Sequence, residues 1–250
     1  RDPEMSRGLG DVYKRQVAVP FVGNYTEEKI KKVMQILKED FAGFDAQLII
    51  MDVVPWMLPY YEASGIQFEI EDNRDYMDYT FTPEQFLAGM DMQDDRYRYN
   101  YFKRRFAYET EEITPFHREE IREFMEREWC GEKTCEECHC GCLLRVIDNL
   151  VPVFDKIRIN GILVRVEGKM AGLCIVSCRN GLGVYQYKNA VNRIKGINEY
   201  LLRESFERYL QSADTINYTE DMGVENLRYY KEHMAPAHTL LSKLTLTERG

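Results

Sequence analysis

Between Val184 and Pro236 the chain gathers residue types that can hold a charged carrier and move a proton. The run Arg193-Ile194-Lys195-Gly196-Ile197-Asn198 sets two cations ahead of a glycine that opens a helix. With a strand before it and a helix after it, backbone N–H groups and the positive end of the helix dipole face an anion. Arg193, Lys195, Gly196 and Asn198 are therefore candidate binders of a phosphate-bearing carrier, beside the plainer reading of a loop with a helix-start glycine. Further on, Ile216-Asn217-Tyr218-Thr219-Glu220-Asp221-Met222-Gly223 puts polar side chains just past a strand end, where α/β sheets present their chemistry. Asn217 and Asp221 are candidates for orienting the reacting groups; Asp221 is equally well placed to cap a helix near Val224. Arg228 and Lys231 lie three apart on one helix face, placed for an acidic acceptor or the carrier, or as solvated neighbours of Glu225. A cradle, a slot beside a strand and a proton acceptor are what acyl transfer from an activated carrier needs.

Two other clusters carry chemistry. Arg96 to Phe106 interleaves five basic residues with five aromatic ones in a chain whose net charge is −9. Arg96, Arg98, Lys103 and Arg104 form a candidate patch for the acceptor end of a tRNA, phosphates on the cations and bases on the rings. The same spacing suits an amphipathic inter-domain helix with its aromatics in the core and its arginines in water. Cys130, Cys135, Cys138 and Cys140 crowd with His139 and Cys142, and the Cys135–Cys138 pair can present two thiolates to a structural zinc. Reduced loop thiols without a metal are the other reading. Cys174 and Cys178 read as buried thiols and His117 as a helix-face residue, while His233 and His238, near Pro236, are candidates for a base beside the plainer reading of surface residues.

The elements that must position these groups follow from periodicity. Val17–Phe21 reads as a strand, and Thr26 opens a helix with Ile30, Val33, Met34 and Leu37 on one face. Strands at 47–54 and 66–70, a short helix at 55–62 and another at 83–87 complete an alternating first half. The second half gives a strand at 108–113, helices from Pro115 to near Trp129 and at 142–150, and strands at 157–159, 161–167 and 170–178. A strand at 184–187, a helix at 196–209, a strand at 215–217, a helix at 224–232 and a last strand at 240–246 follow. The expected fold is α/β (α+β), with mixed central sheets flanked by helices.

Of the 250 residues, 44% are hydrophobic and 30% charged, and no apolar run approaches the ~18–20 residues that span a bilayer. This describes a soluble protein, and the absence of a secretory signal sets the expectation of a cytoplasmic one. Asp11 to Gln16 match the translated end of a library adapter, so residues 1–16 are expected to be non-native, with a truncated first domain starting at Val17.

Asn217, Asp221, Gly223, Glu225, Leu227, Arg228, Lys231 and Pro236 sit at the spacing of a terminal signature, N-R-E-x-D-x-G-x-x-G-L-R-x-x-K-x-x-x-x-P. With Gly196 and Asn198, and with Arg96, Asn100 and Phe102 in a K-R-N-x-x-N-x-F-like segment, the chain resembles the phosphatidylglycerol lysyltransferase C-terminal domain family over most of 17–250. The resemblance implies two tandem acyltransferase-like domains of the GCN5-related acetyltransferase (GNAT) type, 17–105 and 106–250. It implies an aminoacyl-tRNA or acyl-CoA donor and an amine or hydroxyl acceptor. Two positions depart from the pattern: Tyr218-Thr219 stand where the signature has Arg-Glu, and Lys188 where a strand Glu is expected. The alternatives are a catalytically impaired binding module on the same fold, stabilised by zinc, and an interaction protein organised around the cysteines.

Overall fold

A computed structural model describes residues 14–18, 24–42, 47–130, 143–234 and 237–249. In chain order it contains β1 (Lys14–Ala18), α1 (Glu27–Phe41), β2 (Gln47–Val53), α2 (Leu58–Glu62), β3 (Phe68–Asp72), β4 (Asp78–Phe81), α3 (Pro83–Met90), α4 (Gln93–Arg105) and β5 (Tyr108–Glu112). Then come α5 (Arg118–Met125), α6 (Leu143–Leu150), β6 (Asn160–Val166), β7 (Lys169–Arg179) and β8 (Leu182–Ala190). The chain continues through α7 (Ile197–Ser205), β9 (Thr215–Asn217), α8 (Glu225–Met234), β10 (Thr239–Leu241) and β11 (Leu244–Glu248).

Two compact units result. The first takes Arg1–Asp78, Glu220–Gly223 and Leu240–Gly250, the second Tyr79–Thr219 and Val224–Thr239. The division thus falls at Asp78/Tyr79, whereas the sequence placed it at 105/106. The reason lies in α4, whose Phe102 is fully buried among Phe106, Tyr108 and Tyr200 of the second unit.

In the first unit a four-stranded sheet runs β1-β2-β11-β3, with β1 parallel to β2 and β11 antiparallel to both of its neighbours. The first described strand is Lys14–Ala18, which takes in Val17 and Ala18 of the expected 17–21 strand while 19–21 lie outside the described residues, and three residues of the segment expected to be non-native pair in register with Gln47–Ile49. On α1, Thr26 accepts the Lys29 N–H as N-cap at 3.3 Å, and Ile30 and Met34, one turn apart, enter a core with Leu48, Ile50, Val53, Tyr61, Leu244 and Leu246. The strand expected at 240–246 is two strands, because Lys243 between them turns inward to Asp78 at 2.9 Å and Glu220 at 3.1 Å.

The second unit is built on a seven-stranded sheet of order β10-β4-β9-β8-β7-β6-β5. It is antiparallel from β5 to β8, and β8 pairs with β9 in parallel. In β7 the run Met170–Val176 is buried, as a strand covered on both faces requires. The strand expected at 157–159 is a turn that delivers the chain to β6. Both sheets are mixed and flanked by helices, as the sequence implied. Among the described residues no helix is long and apolar enough to cross a membrane.

Candidate functional site

The parallel pair β8/β9 creates the site. Its register holds only for Leu182↔Thr215, Gly183↔Ile216 and Val184↔Asn217, whereas the β7/β8 ladder continues to Gly172↔Ala190. Beyond Val184 the β9 side of β8 therefore has no strand partner among the described residues. Past that divergence Lys188, Asn189 and Ala190 line an open pocket, of about 1040 Å³ with its mouth included, together with Glu128, Asn192, Arg193 and Asn198. Asn198 lies in the first turn of α7, so the pocket borders a helix N-terminus.

Its electrostatics favour an anion. Lys188 donates to the Asn198 Oδ1 at 2.8 Å, and burial holds its ammonium below the usual lysine range. Arg193 is 77% exposed, with the Glu128 carboxylate 3.8 Å away, leaving its guanidinium open to a second partner. The Asn189 amide nitrogen is buried without a hydrogen-bond partner among the described residues, a donor that a ligand oxygen would satisfy.

The remaining residues of the Arg193–Asn198 run do different work. Lys195 sits over the rings of Tyr97 and Tyr101, at 4.8 and 5.1 Å, and so is spent on α4 and not on the pocket. Gly196 has φ +88°, and a Cβ there would lie 2.1 Å from the Arg98 carbonyl oxygen. It is the point at which α4 approaches the start of α7.

Asn217 and Asp221 belong to different units. In the second unit, Asn217 is buried and accepts the Thr219 N–H at 2.7 Å, fixing a turn in which Thr219 takes φ +57°. In the first, Asp221 is wholly buried, accepting from Arg74 Nη1 at 3.0 Å and from the Gly223 N–H at 2.9 Å. Helix α8 begins at Glu225, so this carboxylate holds the preceding loop and not the helix itself. Asp221→Ala is expected to lower stability by about 2 kcal/mol in urea unfolding, since it removes one charge-assisted bond and one bond to backbone. Lys231 is 3% exposed and donates to the Tyr218 carbonyl and, at 3.1 Å, to the Thr219 carbonyl, with its Nζ 4.5 Å from the Tyr218 ring centroid. Tyr218 itself packs on Phe86 and Tyr185, so an aromatic ring fills the core where the signature carries Arg. Arg228 lies half-buried on α8.

On α4, Arg98 pairs with Glu199 at 3.2 Å and Lys103 donates to the Tyr99 hydroxyl at 3.1 Å, whereas Arg96 and Arg104 are exposed. Sequence reasoning missed the buried face of this helix as a polar site. Asp95, Tyr99 and Phe102 recur at i, i+4 and i+7, the spacing of one face, and Asp95 with Glu199 lines a second pocket. Burial and the Glu199 charge push the Asp95 carboxyl above its ordinary range. Cys135, Cys138 and Cys140 lie outside the described residues, and Cys130 closes the turn Glu126–Cys130. Among the described residues no group of three His, Cys, Asp or Glu side chains is placed to hold a metal ion.

The fold has parallels in solved proteins. A conserved protein of unknown function from Bacteroides thetaiotaomicron superposes with a TM-score of 0.74 at 25% identity, over 94% of this chain and 79% of that one. L-PGS from Bacillus licheniformis gives 0.62 at 15% identity, over 87% and 73%. A tandem GNAT protein from the clavulanic acid biosynthesis pathway, solved without AcCoA, gives 0.54 at 11%, over 95% and 75%. No curated protein matches the chain significantly. The fold is therefore shared with acyl- and aminoacyltransferase-type proteins. Residues 13–242 match the family model described as phosphatidylglycerol lysyltransferase, C-terminal, and with nearly the whole chain inside that match, this protein belongs to the phosphatidylglycerol lysyltransferase C-terminal domain family.

Proposed function

We propose that the protein transfers an acyl or aminoacyl group from a phosphate-bearing carrier to an amine or hydroxyl acceptor, at the pocket where β8 parts from β9. The observation that carries this reading is the early end of the β8/β9 ladder, which leaves Lys188 and Asn189 lining a pocket with Arg193 and Asn198 beside a helix N-terminus. Arg193 and Asn198 hold a carrier phosphate, and the helix start adds its dipole. Asn217 and Asp221 act as positioning residues that fix the turn after β9. Aminoacyl-tRNA is the first donor on the strength of the family, with the exposed Arg96, Tyr97 and Arg104 of α4 available to its phosphates and bases. Acyl-CoA is the second.

Thermal shift against coenzyme A, acetyl-coenzyme A and total aminoacyl-tRNA tests the reading. A carrier at 100 times its Kd adds about 2.7 kcal/mol to stability, several degrees in Tm. Arg193→Ala is expected to weaken that carrier about tenfold, the loss of one charge-assisted phosphate contact. No stabilisation by any of the three carriers would refute the proposal. A carrier-binding module without turnover is the second reading, favoured by the burial of Tyr218 where the family signature has a charge. Stabilisation by carrier with no transfer of labelled acyl group to amines or alcohols would select it.

A further inference from the structure

Acyl transfer needs a group to take the proton of the incoming nucleophile. Among the described residues that line the pocket where β8 parts from β9, one is a carboxylate, Glu128. Neither histidine that the sequence offers as a base is there: His233 stacks on Tyr229, and His238 packs against Tyr79. The end of α5 explains the position of Glu128. After Met125 the chain continues in a wider π turn, Glu126–Cys130, a form frequent at functional sites. The Tyr187 hydroxyl donates to Met125 Sδ at 3.0 Å, so α5 covers the face of β8 that Tyr187 presents, and strand alternation puts Asn189 on that face too. Ala190 faces α7, since a Cβ on Gly172 would meet both Ala190 Cβ and Leu201 Cδ1. The pocket therefore straddles the end of β8, with Asn198 entering from the α7 side and Glu128 from the α5 side.

The two oxygens of Glu128 are unequal. Oε1 accepts from Arg127 Nε at 2.9 Å and lies 3.8 Å from Arg193 Nη2, whereas Oε2 makes no hydrogen bond among the described residues. Arg127 is itself fixed, donating from Nη2 to the Met170 carbonyl at 3.1 Å. One oxygen thus anchors the group, and the other keeps its lone pairs for a proton. At 14% exposure the side chain is shielded from bulk water without being enclosed.

We propose that Glu128 is a catalytic residue that accepts the nucleophile's proton at Oε2. The assignment rests on the transfer reading above. As the acceptor N–H or O–H passes its proton to Oε2, the nucleophile forms the new C–N or C–O bond to the acyl carbon. The C–O or C–S bond to the carrier then breaks, and the departing oxygen or sulfur takes the proton back from Glu128. Because Arg193 lies 3.8 Å from the same carboxylate, the carrier phosphate and the reacting acyl group share one pocket. That suits an ester next to its phosphate, as at a tRNA 3′ end, better than a thioester at the end of a long pantetheine arm.

The test uses the full chain, with radiolabelled total aminoacyl-tRNA or acetyl-coenzyme A as donor and glycerol or n-butylamine as acceptor. Glu128→Gln keeps the shape of the side chain and an oxygen for Arg127 but removes the base. It is expected to cut transfer about a hundredfold or more, with Tm and stabilisation by carrier kept. Sodium formate is expected to raise transfer by Glu128→Ala about tenfold, a carboxylate returning to the vacated space, which a purely structural role would not produce. Wild-type transfer in Glu128→Gln, or a loss in Glu128→Ala that formate does not relieve, would overturn the assignment and leave the carrier pocket standing. Loss of carrier stabilisation in Glu128→Gln would overturn it as well, by making Glu128 a holder of Arg193. Carrier stabilisation without transfer by the wild-type chain would remove both this assignment and the transfer reading, and no stabilisation by any carrier would remove the pocket itself.

Discussion

Gly196→Ala is expected to destabilise the second unit by about 3 kcal/mol or more, from two sources that can be separated. At φ +88° any Cβ incurs the left-handed penalty, about 1–2 kcal/mol. The same Cβ would also stand 2.1 Å from the Arg98 carbonyl oxygen and 3.0 Å from the Phe102 Cβ, so α4 must move off the start of α7. Overpacking of that kind adds about 1–3 kcal/mol. Gly168 supplies the control, since it has φ +74° in the turn between β6 and β7 and nothing within 4 Å of where a Cβ would stand. Gly168→Ala should lose only the backbone part. Urea unfolding of the two variants gives the comparison, and equal losses would show that the close approach of α4 to Gly196 has no energetic weight. Because α7 carries Asn198 of the proposed carrier pocket, separating the two helices should also weaken carrier binding.

Elements governed by local chemistry were legible in the sequence. The Thr26 cap and the Ile30/Met34 stripe place α1, and Thr215–Asn217 is a strand where alternation and flanking turns put one. Long-range pairing was not legible. Nothing within Leu240–Glu248 says that β11 lies between β2 and β3, about two hundred residues earlier in the chain, because a strand's apolar pattern states that it is buried and not against which partner. The division at Asp78/Tyr79 was not legible for the same reason: Tyr101 to Ala107 has the composition of a charged connector, yet Phe102 is buried with Tyr108 and Tyr200.

At the candidate site the residues of the Arg193–Asn198 run face different ways. Arg193 and Asn198 do line the pocket, but Lys195 and Gly196, read as part of the same cradle, serve the contact with α4. A run of basic residues states charge and not direction, and successive positions in a turn point different ways. Asp95 and Glu199 escaped because carboxylates in the first turn of a helix are ordinarily read as companions of its dipole. Their burial depends on α4 and α7 meeting, a tertiary fact.

Lys231→Ala should cost stability and not carrier affinity, by about 3–4 kcal/mol. Truncation leaves a cavity beside Tyr218 and Tyr79 and strips the carbonyls of Tyr218 and Thr219 of a cationic donor. Lys231→Met divides the two contributions: it restores most of the stem packing and none of the hydrogen bonds, so it should recover roughly half of the loss. The functional consequence follows from position. Tyr218 and Thr219 continue directly from β9, whose parting from β8 opens the carrier pocket, and Lys231 on α8 ties that turn down. Folded Lys231→Met protein should therefore bind a carrier with the wild-type Kd. If the unfolding free energy is instead unchanged and the carrier Kd rises tenfold, Lys231 faces the carrier in solution, and the staple read from its buried hydrogen bonds is wrong.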